Sequence, residues 1–146
     1  MFIYLDNCAL QRPIDKPVNL RIRVEAEAVL GILELIENGE IILVSSTLLE
    51  FELSKTPSIN RVHFASQILQ KAKKVISLTP AMVEEANKYV ASGLKPIDAL
   101  HLAIASIEKI DYLCTCDDRF YKACGRLSGL AVKVMMPLEL IDHLAL

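Results

Sequence analysis

A three-layer α/β/α domain with a mainly parallel central sheet of about five strands is the fold this sequence predicts. Three observations predict it. Short β-prone runs alternate with longer stretches of helical periodicity along the whole chain. Those runs are almost continuously apolar, as strands covered on both faces are, instead of alternating apolar and polar. Finally, 146 residues without an internal repeat or a linker fit one domain, residues 1–146, large enough to bury a real core.

The elements follow in chain order. Phe2-Ile3-Tyr4-Leu5 reads as the first strand, stopping at Asp6, and the segment with Arg12-Pro13 and Lys16-Pro17 reads as a loop. Ile22, Val24, Ala26, Val29, Leu30, Leu33 and Ile36 form a helical stripe over Leu20 to Glu37. Asn38-Gly39 ends that helix, because glycine accepts the left-handed backbone a helix stop often needs. Ile41 to Val44 is a buried strand, after which Ser45, Ser46 and Thr47 offer N-caps to a short helix through Leu53, broken by Thr56-Pro57. A helix over Asn60 to Lys73 and a strand over Val75 to Leu78 come next. Thr79-Pro80 opens a helix that Ser92-Gly93 closes, and Pro96 opens another through Glu108. A strand over Tyr112 to Thr115, a helix from Asp117, a strand over Val132 to Met135 and a helical turn from Pro137 complete the chain.

Composition removes several function classes. At 53% hydrophobic residues the chain is not disordered. With 16 Lys and Arg against 18 Asp and Glu, it is no general polyanion binder, so contact with nucleic acid requires a local patch or a metal. Charge arrives at Asp6 inside the first apolar run, and no stretch approaches the ~18 apolar residues of a membrane span. A soluble, cytoplasmic protein with no membrane partner is the expectation. Cys8, Cys114, Cys116 and Cys124 lack zinc-type spacing and read as small apolar side chains in a reduced core.

The chemistry lies in the carboxylates. An open parallel sheet binds ligands at the carboxyl ends of its strands, near a reversal of strand order. Asp6 ends the first strand, Glu50 and Glu52 lie on the helix after the second, and Asp117 follows the fourth. Asp98 opens the helix that runs back from the same edge. Singly, each acid has a structural explanation as a strand end, a dipole partner, an N-cap or a solvated charge. Together on one rim they do not. Two carboxylates ~5 Å apart repel by about 3 kcal/mol at an effective dielectric near 20, so the cluster takes up protons or a cation. All-oxygen donors without His suit Mg²⁺ or Mn²⁺ rather than Zn²⁺. Such an ion activates water and neutralises charge on a phosphoryl oxygen, which points to phosphodiester hydrolysis. The chain carries no Gly-x-Ser-x-Gly, Walker A or Gly-rich dinucleotide motif.

In these residues the sequence resembles the PIN domain family, the nuclease fold of VapC-type toxins and related ribonucleases. The resemblance rests on Tyr4-Leu5-Asp6-Asn7, on Ser46 with Glu52-Leu53 six residues on, and on Asp98-Ala99-Leu100-His101-Leu102-Ala103. Its last part is Thr115-Cys116-Asp117-Asp118-Arg119-Phe120, similar to the family's Thr-x-Asp-x-x-Phe. It implies a Mg²⁺- or Mn²⁺-dependent endoribonuclease for single-stranded RNA, with Asp6, Glu52, Asp98 and Asp117 as catalytic metal ligands and Thr115 assisting. It also implies a toxin's role with a cognate antitoxin protein as partner, and a homodimer. Asn7 stands where the family frequently has Thr or Ser. The second acid remains open: spacing from Ser46 favours Glu52, whereas Thr47 read as the family's Thr favours Glu50. Only one of the two can face the rim, since they lie about 200° apart on a helix.

Other features weigh less. His101, three residues after Asp98, could couple to it, but its apolar neighbours favour a packed His; His63 and His143 read as surface residues. Arg12, Lys16, Arg21 and Arg23 follow the first strand and are candidates for phosphate contact, while Lys71, Lys73 and Lys74 read as a solvated face. A phosphoacceptor receiver fails because Leu78-Thr79-Pro80 and Met136-Pro137 stand where its acceptor Asp and its Lys are needed. A haloacid-dehalogenase-type phosphatase fails because Cys8 replaces its second Asp. The alternative function is a catalytically degenerate module that binds RNA or a protein partner without cleavage, against which the intact acidic set argues.

Overall fold

The computed structural model describes residues 1–144, so the last two residues of the expected domain, 145 and 146, lie outside the described part. Strand β1 (Phe2–Leu5) occupies the middle of the sheet. On one side it pairs with β2 (Ile42–Ser46), which pairs with β3 (Lys74–Ile76); on the other it pairs with β4 (Tyr112–Cys114), which pairs with β5 (Lys133–Met135). All four pairings are parallel. The chain builds outward through β2 and β3 and then returns to the far side of β1. The reversal of strand order therefore falls between β1 and β4, where a crevice for ligands is expected.

Burial explains the strand sequences. Ile3, Tyr4, Leu5, Leu113 and Cys114 are buried, as continuous apolar strands in the middle of a two-sided sheet must be. The edge strands are only three residues long and each begins with an exposed Lys, Lys74 and Lys133, which discourages pairing with another chain. The serines of β2 remain in the strand, contrary to the expectation that it ends at Val44. Ser45 and Ser46 pair with Val75 and Ile76, and Ser46 then caps the next helix by accepting from the Leu49 N–H at 3.1 Å.

Eight α-helices are described: α1 (Asn7–Gln11), α2 (Leu20–Glu37), α3 (Thr47–Ser54), α4 (Ile59–Leu69), α5 (Pro80–Ala91), α6 (Pro96–Ile107), α7 (Asp118–Gly125) and α8 (Pro137–Leu144). The segment after β1 is a correction to the predicted loop, because α1 and a 3₁₀ turn over Arg12–Ile14 fill it. The cause is local. Asp6 is the N-cap of α1, its Oδ1 accepting from the Ala9 N–H at 3.0 Å, and Ala9 and Leu10 are fully buried. Helix α6 is the most deeply buried, with Ala99, Leu102, Ala103, Ile104 and Ala105 in the core and α5 packed along it. Among the described residues no helix is long and apolar enough to cross a membrane.

Candidate active site

Asp6, at the end of β1, is buried, and its backbone N–H donates to the Cys114 carbonyl of β4 at 3.2 Å. It therefore sits at the strand-order reversal itself. Burial pushes its carboxyl well above the usual carboxylate range and the Cys8 thiol adds to this, while Thr115 and the Ala9 N–H pull it back. Asp117 caps α7, its Oδ1 accepting from the Arg119 and Phe120 N–H groups at 2.9 and 3.3 Å. Thr115 is buried and its Oγ1 accepts from the Asp117 N–H at 3.1 Å, which fixes the turn that presents Asp117. Asp98, in the first turn of α6, is raised by burial first and by the charge of Asp117 second. Glu52 adds a smaller push, and His101 and Lys95 oppose it. The acids feel one another across segments far apart in the chain.

Glu50 and Glu52 part company. Glu50 is exposed and lines a hollow with Leu53 and Val62, away from the other acids. The Glu52 side chain is 30% exposed, and its Oε1 accepts from Asn7 Nδ2 at 3.2 Å and from His101 Nε2 at 2.5 Å. His101 is buried, and its Nδ1 lies 2.6 Å from the Tyr4 hydroxyl, which lies 2.7 Å from Ser46 Oγ. One assignment of protons satisfies the whole chain. Ser46 donates to Tyr4, Tyr4 to His101 Nδ1, and His101 Nε2–H to the Glu52 carboxylate, while Ser46 accepts from Leu49. Burial and the Glu52 and Asp6 charges raise the Tyr4 phenol far above its ordinary value, against the Ser46 hydrogen bond, so it serves as a donor and not as an anion. His101 is thus packed, as its neighbours suggested, and its hydrogen-bond partners are Tyr4 and Glu52.

Two expectations need correction. Cys114, Cys116 and Cys124 are buried, but Cys8 is an exposed residue. Its Sγ turns inward to the site, 3.0 Å from Asp6 Oδ1 and 3.4 Å from Thr115 Oγ1, and accepts from the Cys116 N–H at 3.3 Å. Contact with Cys116 and burial push this thiol up, so it is a neutral donor to Asp6. The other correction concerns the arginines. Arg12 pairs with Asp15 at 2.8 Å and with the buried Glu25 at 3.2 Å; Arg21 pairs with Glu25 and is bidentate to Asp118 at 2.6 and 2.8 Å. Both guanidinium groups are held by carboxylates of this chain and are not free for phosphate.

The sequence reading missed Asn7 as a partner of Glu52, and the Ser46–Tyr4 pair that holds His101. The signal present was a hydrogen-bonding side chain within a mainly apolar run: Tyr4 in β1, Ser46 in β2 and His101 in α6.

A hard cation suits this donor set in kind, since the converging groups are carboxylates. Among the described residues, no three His, Cys, Asp or Glu side chains surround one point closely enough to hold an ion as they stand. Glu52 leans on His101, and Asp117 leans on its own helix. Two features fit an ion among them. Burial and then the Asp117 charge raise Asp98, and Asn7 Oδ1 is a buried acceptor without a hydrogen-bond donor.

The chain is thus an open parallel α/β sheet with Asp6 at its strand-order reversal and Asp98 and Asp117 at the starts of α6 and α7. The chain belongs to the PIN domain family, which it matches over residues 4–126. Its fold is similar to that of VapBC2 from Rickettsia felis, solved bound to a DNA fragment from their promoter, with a TM-score of 0.61 and 14% identity over 93% of this chain and 98% of that one. It is also similar to PAE2754 from Pyrobaculum aerophilum, with a TM-score of 0.58 and 17% identity over 99% and 98%. VapC20 from Mycobacterium tuberculosis, described as a sarcin-ricin loop cleaving toxin, has a TM-score of 0.57 and 14% identity over 88% and 98%. No curated protein sequence matches the chain.

Proposed function

We propose that this protein is a Mg²⁺- or Mn²⁺-dependent endoribonuclease that cuts single-stranded RNA, with residues 1–146 as one nuclease domain. The observation that carries the reading is the match to the PIN domain family over residues 4–126, supported by Asp6 beside β4, Asp98 in the first turn of α6 and Asp117 at the N-cap of α7. Asp6, Glu52, Asp98 and Asp117 are the residues that would hold the cation. When bound, the cation supplies charge neutralisation at the phosphoryl group and a more acidic water.

The chain's own residues do the rest. Thr115 and the N-terminus of α7 orient Asp117. The Cys8 thiol and the Ala9 N–H hold one oxygen of Asp6. The Ser46–Tyr4–His101 chain, with Asn7, holds Glu52. Fixed carboxylates cost no reorganisation as charge develops on the reacting phosphate. Within the same reading, the protein is a cytoplasmic toxin of the VapC kind, partnered by an antitoxin and assembled as a homodimer. The likeness to VapBC2 supports the partner.

Incubation of purified protein with single-stranded RNA and Mg²⁺ or Mn²⁺ is the test, and cleavage that stops with EDTA is expected. Cleavage that survives exhaustive chelation would end the metal mechanism. The alternative, a module that binds without cutting, draws on one observation, the hold of His101 on Glu52. Absence of Mn²⁺ binding at millimolar concentration would favour it.

A further inference from the structure

Arg12 and Arg21 are bound to carboxylates, and a further group of cations lies near the rim. Lys95, Arg119, Lys122 and Arg126 line a cleft of about 360 Å³ between the turn joining α5 to α6 and the face of α7, with Phe120 buried beneath them. All four are exposed, and among the described residues none of them makes an ion pair. Arg119, Lys122 and Arg126 are spaced i, i+3 and i+7, so they form one stripe along α7. Gly93 brings the facing wall round, its φ of +109° being one that L side chains rarely adopt. The one acid lining this cleft is Asp98, which also belongs to the acidic rim. The cleft and the rim are therefore continuous, and the stripe runs away from Asp117.

We propose that this cleft is a binding subsite for the phosphodiester backbone of single-stranded RNA beside the point of cleavage. Four unpaired cations in a chain of net charge −2 are a concentrated positive feature. Phe120 is buried and offers no stacking platform, so the cleft reads phosphates and not bases. The placement of the cut rests on the nuclease reading; binding in the cleft does not.

The test is the salt dependence of binding of a fluorescently labelled single-stranded RNA in EDTA, where nothing is cut. Replacing Lys95, Arg119, Lys122 and Arg126 together by Ala should flatten the slope of log K against log salt by about 0.7 per lost contact, a total of about 2 to 3. Replacing Lys71, Lys73 and Lys74 by Ala should leave the slope alone. All of these side chains are exposed, so thermal melting should show both variants folded. If the wild type cuts RNA and the cleft variant keeps its slope and KM, the cleft is overturned and the nuclease reading stands. If the wild type never cuts but the slope falls as expected, the nuclease reading fails and the cleft stands. No RNA binding by the wild type at low salt overturns the cleft. So does a variant that keeps its RNA slope but loses binding of a labelled polyglutamate peptide, which would assign the cations to an acidic protein segment.

Discussion

Asp117 and Asp118 are neighbours in the chain but belong to two different electrostatic regions. Asp117 adds its charge to Asp98, whose carboxyl is raised by burial first and by Asp117 second. Asp118 stands in an ion-pair cluster with Arg21, Glu25, Arg12, Asp15 and Arg61, where each carboxylate has a guanidinium partner. Arg21 accordingly holds the Asp118 carboxyl below the usual range. The cluster pairs its charges within the protein and ties the 3₁₀ turn, α2, α4 and α7 together, although Arg12 Nε and Glu25 Oε1 are buried without a hydrogen-bond partner. At the rim, among the described residues, no Lys or Arg pairs with Asp6, Asp98 or Asp117.

Variants at the two regions should therefore fail in opposite ways. The largest effect is expected at the rim, where Asp6→Asn, Asp98→Asn or Asp117→Asn should each lower cleavage on the order of 10²–10³-fold, as loss of a preorganised charge-stabilising group does. Circular dichroism should show each variant folded; equal activity losses in Asp117→Asn and Asp118→Asn would erase the distinction between the regions. In the cluster, Glu25→Gln removes one partner of a buried pair and should cost about 3 kcal/mol in urea unfolding. Its cleavage per folded molecule should be unchanged.

A smaller effect tests how the rim is held. Glu52→Gln should weaken Mn²⁺ affinity and cleavage together, by about 10- to 100-fold, whereas Glu50→Gln should leave both within a few-fold. The reverse result would move the site across α3. A difference of sign should appear in the metal-free protein, where Asp98→Asn should raise Tm by removing a carboxylate that burial, and then the Asp117 charge, disfavour. An acid whose folded pKa is raised costs stability once ionised. The wild type should therefore gain on the variant's advantage as pH falls through the raised folded value to the ordinary one, and the two should converge below it. A lowered Tm for Asp98→Asn would mean that the rim is paired as the cluster is. The smallest change is expected from Asp118→Asn, which loses only an exposed ion pair and should cut RNA within a few-fold of wild type.

Much of this was legible before any coordinates. Continuous apolar runs identified the five strands, and cap residues such as Ser46, Thr79 and Asp117 marked helix starts at which their side chains do accept from backbone N–H groups. The order of strands and acids along the chain was enough to bring Asp6, Asp98 and Asp117 to one edge. Less legible were α1, whose five residues hold two buried apolar side chains and no periodic stripe, and the choice between Glu50 and Glu52. In α3 the apolar residues Leu48, Leu49, Phe51 and Leu53 lie on more than one side, so periodicity selects no face.

What the sequence by itself determined is whatever depends on neighbours in the chain: strand and helix type, caps, turns and the segments that carry acids. Only the tertiary structure decided which charge meets which. It gave Glu52 to His101, Arg21 to Asp118 and Arg12 to Glu25, and left Lys95, Arg119, Lys122 and Arg126 facing an open cleft. The physical reason is range. Hydrophobic periodicity and capping act within a few residues, whereas Coulomb attraction and hydrogen bonding reward proximity in space, and Glu52 and His101 are 49 residues apart in the chain yet 2.5 Å apart in the fold.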